Sequence, residues 1–303
     1  MIKGYVKIVN QTSYTELPEP LEWEIVRADK ADRDSFYYVF PFDPALRQTL
    51  SSAVAFQLKD GTTLLFSGRV DGYTVSLSAA GGLLKLYGRS TAALLMDYEF
   101  PAADYSKPTM KMIAQTYVGP VSVACYYDEP TMVPDTFHVS LGDSAMKVIS
   151  NFAASVEALP CYIRADGAMR ITFTRTASGV TLGPGDIISA KLLDRRRGVV
   201  SEFRLIEDNG YEPRVNSAFV LEGGRARRYL KECVYSEKQI IYETMRNRRL
   251  FKLLLTGTAR LEPASTFTLN LPQFSFNDTL YVTHCRSFCS PEGQLCEITA
   301  SQY

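Results

Sequence analysis

Apolar and polar positions alternate along the first 95 residues with the period of two that is typical of strands with one buried face. Three such runs are SFYYVFPF, AVAFQL and TLLFSGRVDGYTVSL, which begin at Ser35, Ala53 and Thr63. The pairs Asp60-Gly61 and Gly81-Gly82 separate neighbouring runs, and glycine adopts the positive φ of a tight turn at little cost. The pattern predicts an all-β unit over residues 1–97.

The period lengthens towards 3.6 at the end of this unit. Ser90 is predicted to cap a short helix, TAALLMD, which ends near Asp97. Pro108 then suits the first turn of a second helix that runs through Tyr117, and Gly119-Pro120 stops it. One helical segment therefore ends the first unit, and a second one follows it.

A longer helix and a hairpin complete the middle of the chain. Asp143 is predicted to cap the helix SAMKVISNFAASVEA, whose apolar residues recur at helical spacing. The next segment, CYIRADGAMRITFTR, alternates on both sides of Asp166-Gly167, which is a strong hairpin signal. A helix packed on this hairpin predicts a small α+β domain over residues 98–178.

Strand patterns return over residues 179–303. The predicted strands are SEFRLIE, VNSAFVLEG, STFTLNL, TLYVTHC and QLCEITA. One helix, SEKQIIYETMRNRRLFKLL, is predicted between them with Ser236 as its cap. These segments predict a second β unit, and an alternative assigns residues 186–222 to the first one. Two segments share the order strand, turn with glycine, strand, which suggests duplication. They are TLLFSGRVDGYTVSLSAAGGLLKLYGRS and TLYVTHCRSFCSPEGQLCEITAS.

Length and charge restrict the class of protein. At 303 residues the chain exceeds the usual size of one domain, and 33 Lys and Arg balance 33 Asp and Glu. No global field therefore draws it to nucleic acid or to an anionic membrane. Its opening, MIKGYVKIVNQTSYTEL, lacks the apolar stretch of a signal peptide, and no run is apolar enough to cross a bilayer. We expect a protein that starts in the cytoplasm and has no membrane segment.

The sequence contains none of the common catalytic motifs. Its two histidines, His138 and His284, lie in no metalloprotease or serine-hydrolase pattern. The six cysteines are too sparse for a disulfide framework and are expected to be reduced core residues. The acidic clusters EPLEWE and DKADRD are interpreted as solvated strand edges. The sequence therefore predicts no catalytic residue, no cofactor-binding residue and no metal ligand.

Basic residues are concentrated between Arg214 and Lys252, where ten Lys or Arg stand against four Glu. The predicted basic surface consists of Arg225, Arg227, Arg228, Arg246, Arg248 and Arg249. One hypothesis makes it a contact to an acidic neighbouring subunit or a lumen surface that DNA passes. The other makes it an exposed helix face stabilised by Glu237 and Glu243.

FSGRVDGYTVSL followed by LLKLYGRSTAALLMD resembles the first-barrel hairpin and its exit in the baseplate hub proteins of contractile phage tails. The residues that carry this resemblance are Gly68, Val70, Gly88, Arg89, Leu94, Leu95 and Asp97. The helix-and-hairpin segment and the closing strands follow in the order of that family, which includes the Mu hub, the T-even hub and late control protein D. The resemblance spans most of the chain, although the N-terminal strands depart from it.

The resemblance implies a mainly β fold with an α+β insertion, in which two β-barrel domains of hub type flank the small α+β domain. Their expected bounds are 1–97, 98–178 and 179–303. It also implies a structural role and no enzyme activity. Three copies would form a homotrimer, a pseudo-six-fold ring that joins the six-fold tail tube to a trimeric spike.

The partners that the resemblance implies are the tail tube protein, the trimeric spike protein, other baseplate proteins and, transiently, DNA in the lumen. The expected location is the tail baseplate of a virion, after synthesis in the cytoplasm of the bacterial host. One alternative is a tail-tip component that binds carbohydrate or hydrolyses the cell wall, which would need a cleft with acidic groups or a metal. Another is the hub of a related secretion or tailocin machine, which would differ in its partners.

Overall fold

The computed structural model describes residues 1–79, 81–207, 210–221, 223, 227–230, 241, 244–258, 261–290 and 293–302. Strands dominate these residues and pair almost throughout as antiparallel neighbours. No sheet closes into a complete barrel among the strands described there. The predicted mainly β fold class is therefore confirmed.

The N-terminal half is a sheet ordered β3-β4-β7-β6-β5-β1-β2. Its strands are β1 (Ile2–Ile8), β2 (Thr15–Glu16), β3 (Glu22–Ala28), β4 (Ser35–Pro41), β5 (Ala53–Asp60), β6 (Thr63–Ser78) and β7 (Gly81–Ser90). Its helices are α1 (Leu46–Ser51) and α2 (Ala92–Met96). The hairpins predicted at Gly61 and Gly81 are confirmed, with φ angles of 56° and 118°. Phe36 stacks on Phe56 at 4.2 Å in the core beneath the sheet.

The middle of the chain is a small α+β unit with its own core. Its elements are β8 (Glu99–Phe100), β9 (Ala103–Ser106), α3 (Met110–Tyr117), β10 (Cys125–Tyr127), β11 (Thr136–Val139), β12 (Asp143–Ser144), α4 (Ala145–Ser155), β13 (Tyr162–Ile163) and β14 (Met169–Ile171). The two helices and the hairpin across Gly167 are confirmed. The cap of α4 is Ser144 rather than Asp143, because the Ser144 hydroxyl accepts from the Lys147 amide.

The C-terminal half contains a second large group of strands. They are β15 (Thr176–Leu182), β16 (Ile187–Asp194), β20 (Arg249–Thr256), β21 (Ser265–Leu271), β22 (Phe276–Ser290) and β23 (Gly293–Ser301). A separate three-stranded sheet with a short helix lies between β16 and β20, and comprises β17 (Glu202–Glu207), β18 (Gly210–Val215), α5 (Ser217–Leu221) and β19 (Arg227–Leu230). Since β16 pairs with β20, its alternative placement in the first β unit is wrong.

Two element predictions in this half are wrong. The segment VNSAFVLEG contains helix α5 rather than a strand, and the Asn216 side chain accepts from the Phe219 amide at the start of that helix. Residues 249–254, predicted as the end of a long helix, belong to β20, where pairing with β16 and β23 overrides helix propensity. Ser236, the predicted cap, and Cys233 lie outside the described residues.

The two halves repeat one strand order. The first sheet runs β3-β4-β7-β6-β5-β1, and the second runs β16-β20-β23-β22-β21-β15. Numbered along the chain within each half, these are the same arrangement of six strands. One contact differs, because β1 is antiparallel to β5 whereas β15 is parallel to β21. The likeness noticed between two sequence segments therefore extends to a whole sheet.

The two long hairpins match residue for residue. In β6–β7 the register shifts at Asp71, and in β22–β23 it shifts at Thr283. The turns that follow correspond as well, since Gly81 and Gly293 have φ angles of 118° and 109°. Aligned on the shift and the turn, Val75 corresponds to Ser287.

Strand pairing also joins the two halves to each other. β3 of the first half pairs with β22 of the second, with Ile25 opposite Ser287 and Glu24 opposite Phe288. The Arg286 guanidinium donates to the Glu24 carboxylate at 2.7 Å across this junction. A single thirteen-stranded sheet therefore runs through both halves.

Candidate assembly interface

Arg89 is the centre of the motif that carries the family resemblance. Its guanidinium donates to both carboxylate oxygens of Asp71, at 2.8 and 2.9 Å, and to those of Asp97, at 3.0 and 2.8 Å. This arrangement ties the bulge in β6 to the residue that follows α2, and the guanidinium lowers the pKa of the Asp97 carboxyl. Leu95 is fully buried, while Leu94 and Val70 are half-buried. The motif shapes the exit from the first hairpin.

The two glycines of the motif allow β6 and β7 to approach each other. A Cβ atom on Gly68 would lie 2.2 Å from the carbonyl oxygen of Arg89, and one on Gly88 would lie 1.9 Å from that of Arg69. Both distances are far below van der Waals contact. Glycine is therefore required at both positions by packing against backbone.

The structure divides the predicted basic surface. Arg246 and Arg248 are 4% and 3% exposed, so their assignment to that surface is wrong. Arg246 donates to Asp29 at 2.7 Å, and Arg248 lies over the Phe219 ring at 5.4 Å. Both guanidinium groups therefore make contacts within the chain.

Of the other four predicted basic residues, two have side chains that the structure describes. Arg228 is exposed on β19, and Arg249 is half-buried at the start of β20. Arg225, the Arg227 side chain, Glu237 and Glu243 lie outside the described residues. The predicted subunit or lumen contact is thereby narrowed to Arg225, Arg227, Arg228 and Arg249.

Buried charges hold the three parts of the chain together, and the sequence interpretation missed them. Arg27, on β3, is 7% exposed and donates to Glu262 of the C-terminal half, at 3.0 Å from Nη1, and to the carbonyl oxygen of Ile163 in the α+β unit. The Ala31 amide donates to the carbonyl oxygen of Cys161 at 3.1 Å. Asp29 and Asp34 of the DKADRD cluster are each 2% exposed, so its interpretation as a solvated edge is wrong.

Asp34 lies at this junction with one carboxylate oxygen accepting from the Ala28 amide at 2.7 Å. Burial raises the pKa of this carboxyl to about 8, against the opposing effects of the Ala28 amide and of Arg27. In the unfolded chain the same carboxyl releases its proton near pH ~4. The folded protein therefore binds this proton more tightly than the unfolded chain does.

This difference predicts a loss of stability as the pH rises. The contribution of Asp34 is complete below about pH 4 and declines until about pH 8, by about 1.4 kcal/mol per pH unit. We expect Asp34→Asn to remove this slope. In urea unfolding, the free energy of unfolding of the variant should therefore rise relative to that of the wild type from about pH 5 to pH 8. Asp135→Asn, at an exposed position in the α+β unit, is the control and should leave the slope unchanged. Parallel curves for wild type and Asp34→Asn would contradict the burial of a protonated carboxyl.

Two strand edges carry exposed apolar side chains. At the tip of the first hairpin Leu77 is 77% exposed, and on β16 Ile188 and Leu192 are 53% and 41% exposed. The β6 segment from Gly72 to Ser76 pairs with β7 on one side, and β16 pairs with β20 on one side. On their other sides no described strand pairs with them. Such edges are sites for pairing with another chain.

Three observations concern clefts, metal ligands and membrane spans among the described residues. One cleft of about 600 Å³ is lined mainly by the α+β unit and by residues 30–32, and Asp32 is the single carboxylate among its described lining residues. Within the described part of the chain no group of His, Cys, Asp and Glu is arranged to hold a metal ion. No described helix is long and apolar enough to span a membrane.

The five described cysteines are free thiols. Burial raises the pKa of Cys125 and Cys296 to about 11 and that of Cys161 to about 12. Burial also raises the pKa of Cys285. The thiols of Cys125, Cys161, Cys285 and Cys296 are therefore protonated near neutral pH, and these four cysteines serve as core residues.

Comparisons with known proteins find the fold but no close relative. No protein-family model matches the sequence, and no curated protein matches it. A 43 kDa tail protein of prophage MuSo2 from Shewanella oneidensis has a TM-score of 0.80 at 14% identity, over 98% of both chains. A tail protein of Neisseria meningitidis MC58 has the same TM-score and identity, over 99% of this chain and 96% of its own.

A component of the type VI secretion system of E. coli, which resembles bacteriophage T4 tail proteins, has a TM-score of 0.65 at 12% identity over 98% of this chain and 76% of its own. All these identities are low, and the likeness is one of architecture over the full length. The resemblance recognised in the sequence is confirmed at that level: this chain has the fold of phage tail proteins.

Proposed function

We propose that this chain is the structural baseplate hub of a contractile phage or prophage tail. The observation that carries the proposal is the repeat of one six-stranded order in the two halves of a chain that has the fold of phage tail proteins. In this proposal each half is one barrel-like unit of a ring. The chain acts by holding other proteins in register, and no bond is made or broken.

The repeat addresses a problem of symmetry. A tail tube is six-fold, whereas a spike is three-fold. Three copies of a chain with two similar units present six units to the tube while keeping true three-fold symmetry for the spike. The proposed partners are thus two further copies of this chain, the tail tube protein, the trimeric spike protein and other baseplate proteins.

The proposed ring also implies a DNA channel at its centre and a location in the virion. The ring would surround the channel for DNA, and Arg228 and Arg249 are the described basic residues proposed to contact DNA or an acidic neighbour. The protein would be made in the bacterial cytoplasm and carried in the virion baseplate. The lining of the cleft between the α+β unit and residues 30–32 supports a role without catalysis, because glycoside hydrolysis ordinarily uses a pair of carboxyl groups.

The mass of the purified protein in solution tests this proposal. We expect light scattering across a range of concentrations to give three times 33.9 kDa, because the ring interfaces would be large and in part apolar. A strict monomer or a dimer at every concentration would contradict the homotrimeric hub. A mass that rises without limit would contradict a closed ring.

A secretion device is the second candidate, favoured by the E. coli type VI component that matches 98% of this chain. Both candidates give a trimer, so mass does not separate them. Peptide mass spectrometry of phage particles released from an induced host separates the two candidates. The peptides of this chain in particles with DNA-filled heads would support the phage hub, and their absence from such particles would support the secretion device.

A further inference from the structure

The junction inside the chain shows how one repeat receives the next. In β22 the first residues pair with β21, and residues 284–288 pair with β3 of the other half on that same side. The counterpart of β22 is β6, whose first residues pair with β5. In β6 the corresponding residues 72–76 pair with no described strand on that side. We call this side of β6 or β22 the acceptor edge. In the second repeat it is occupied by β3, whereas in the first repeat no described strand occupies it.

The strand that would fill this edge is also present. β3 pairs with β4 on one side and with β22 on the other. Its counterpart in the second repeat is β16, which pairs with β20 on one side and, among the described strands, with none on the other. Among the described strands, one acceptor edge and one donor strand are thus unfilled, at corresponding places in the two repeats.

We propose that β16 of one copy pairs antiparallel with residues 72–76 of β6 in the next copy, repeating between chains the β3–β22 junction within the chain. This inference rests on the proposed homotrimeric hub and names the surface that assembles it. Aligning the repeats through β4 and β20 makes Leu192 the counterpart of Ile25. Because Ile25 lies opposite Ser287, Leu192 would lie opposite Val75 of the next copy.

The exposure of side chains supports the inference independently of the pairing. Ile25 is 5% exposed under the junction, whereas its counterpart Leu192 is 41% exposed. Cys289 of the second hairpin packs against the core of the first half, whereas its counterpart Leu77 is 77% exposed. Both contrasts are expected if the neighbouring copy covers Leu192 and Leu77, because the counterpart of each is covered by packing within the chain, fully at Ile25 and partly at Cys289.

Charge and closure fit a second copy as the occupant. Arg195, which is exposed and directly follows β16, would lie opposite Gly72 and beside Asp71 of the next copy. The contact joins different surfaces of two copies, so repeating it generates a ring if the rotation closes. With two repeats per chain, three such contacts alternate with three internal junctions. Six repeats would then be related by one kind of strand pairing.

Disulfide trapping tests the register. Val75→Cys with Leu192→Cys in one chain should form covalent dimers and trimers under mild oxidation, with nothing larger, on non-reducing gels. Either substitution alone should give no more crosslinking than the wild type. Ile25→Cys with Ser287→Cys is the matched control, because it places two cysteines at the corresponding positions of the internal junction. This pair should form a disulfide within one chain.

A charge variant decides the same question without a disulfide. Leu192→Asp should raise the concentration at which the trimer dissociates by about tenfold or more, because pairing would bury the carboxylate. Leu141→Asp, at a residue 81% exposed in the α+β unit, is the control and should leave that concentration unchanged.

The outcomes separate this inference from the proposed function. One result would overturn the pairing and leave the hub intact. In that result the protein is a trimer that does not crosslink through residues 75 and 192, the internal cysteine pair forms its disulfide, and Leu192→Asp assembles normally. A wild-type protein that is monomeric at every concentration would overturn the hub itself. Covalent ladders beyond the trimer would contradict a closed ring.

Discussion

Replacing Arg246 with methionine is expected to lower the free energy of unfolding by about 3–5 kcal/mol, the cost of leaving one buried charge without its partner. Arg246 is 4% exposed and Asp29 is 2% exposed, and their contact at 2.7 Å joins the loop after β3 to the segment before β20. The side chain of methionine fills much of the volume and offers no donor to the Asp29 carboxylate. Urea unfolding followed by circular dichroism measures the loss.

Two further variants separate the charge from the general effect of a substitution. Combining Arg246→Met with Asp29→Asn removes both charges, so the double variant should be more stable than Arg246→Met alone. Arg228→Met, at an exposed position on β19, should change the free energy of unfolding by less than about 0.5 kcal/mol. If Arg246→Met stays within about 1 kcal/mol of the wild type, the pair does not hold the junction.

Gly88→Ala is expected to cost about 3 kcal/mol or more, because its single added carbon meets backbone that cannot move aside. The new Cβ would lie 1.9 Å from the carbonyl oxygen of Arg69 and 2.7 Å from the ring of Phe36, which is buried. Relief would require β6 and β7 to separate at the point where Arg89 ties the bulge to α2. The loss is measured as a lower midpoint of urea unfolding.

Gly185→Ala is the matched control for this prediction. A Cβ at Gly185 would meet no atom within 4 Å, and this glycine does not have a positive φ. Its substitution should therefore change stability by less than about 0.5 kcal/mol. Equal effects of the two substitutions would show that the close approach of β6 and β7 is not the reason for glycine at residue 88.

The pattern of the sequence predicted most of the local structure. Alternation over residues 53–90 predicted strands that are observed as β5, β6 and β7, because each has one face on a core and one towards solvent. Helical spacing predicted α4, whose apolar face includes Ile149 and Phe152. The echo between two segments predicted a repeat, and it was visible because both hairpins keep their turn glycine, Gly81 and Gly293.

The predictions failed where distant parts of the chain decide the structure. Asp29, Asp34 and Arg246 are buried because three units meet around them, and a sequence pattern does not indicate which charges meet there. The segment from Arg249 forms a strand because β16 and β23 lie on both sides of it, although its composition suits a helix. The unfilled edges of β6 and β16 were likewise invisible, since a strand pattern does not show how many neighbours the strand has.

The symmetry of the purified particle tests the hub account most directly. Electron microscopy of the assembled protein, viewed along its axis, should show a ring of six similar lobes with three-fold symmetry, because each of three copies contributes two repeats. A ring with three-fold symmetry and six lobes is the result that the account predicts. A two-fold dimer, or single chains at every concentration, would contradict it.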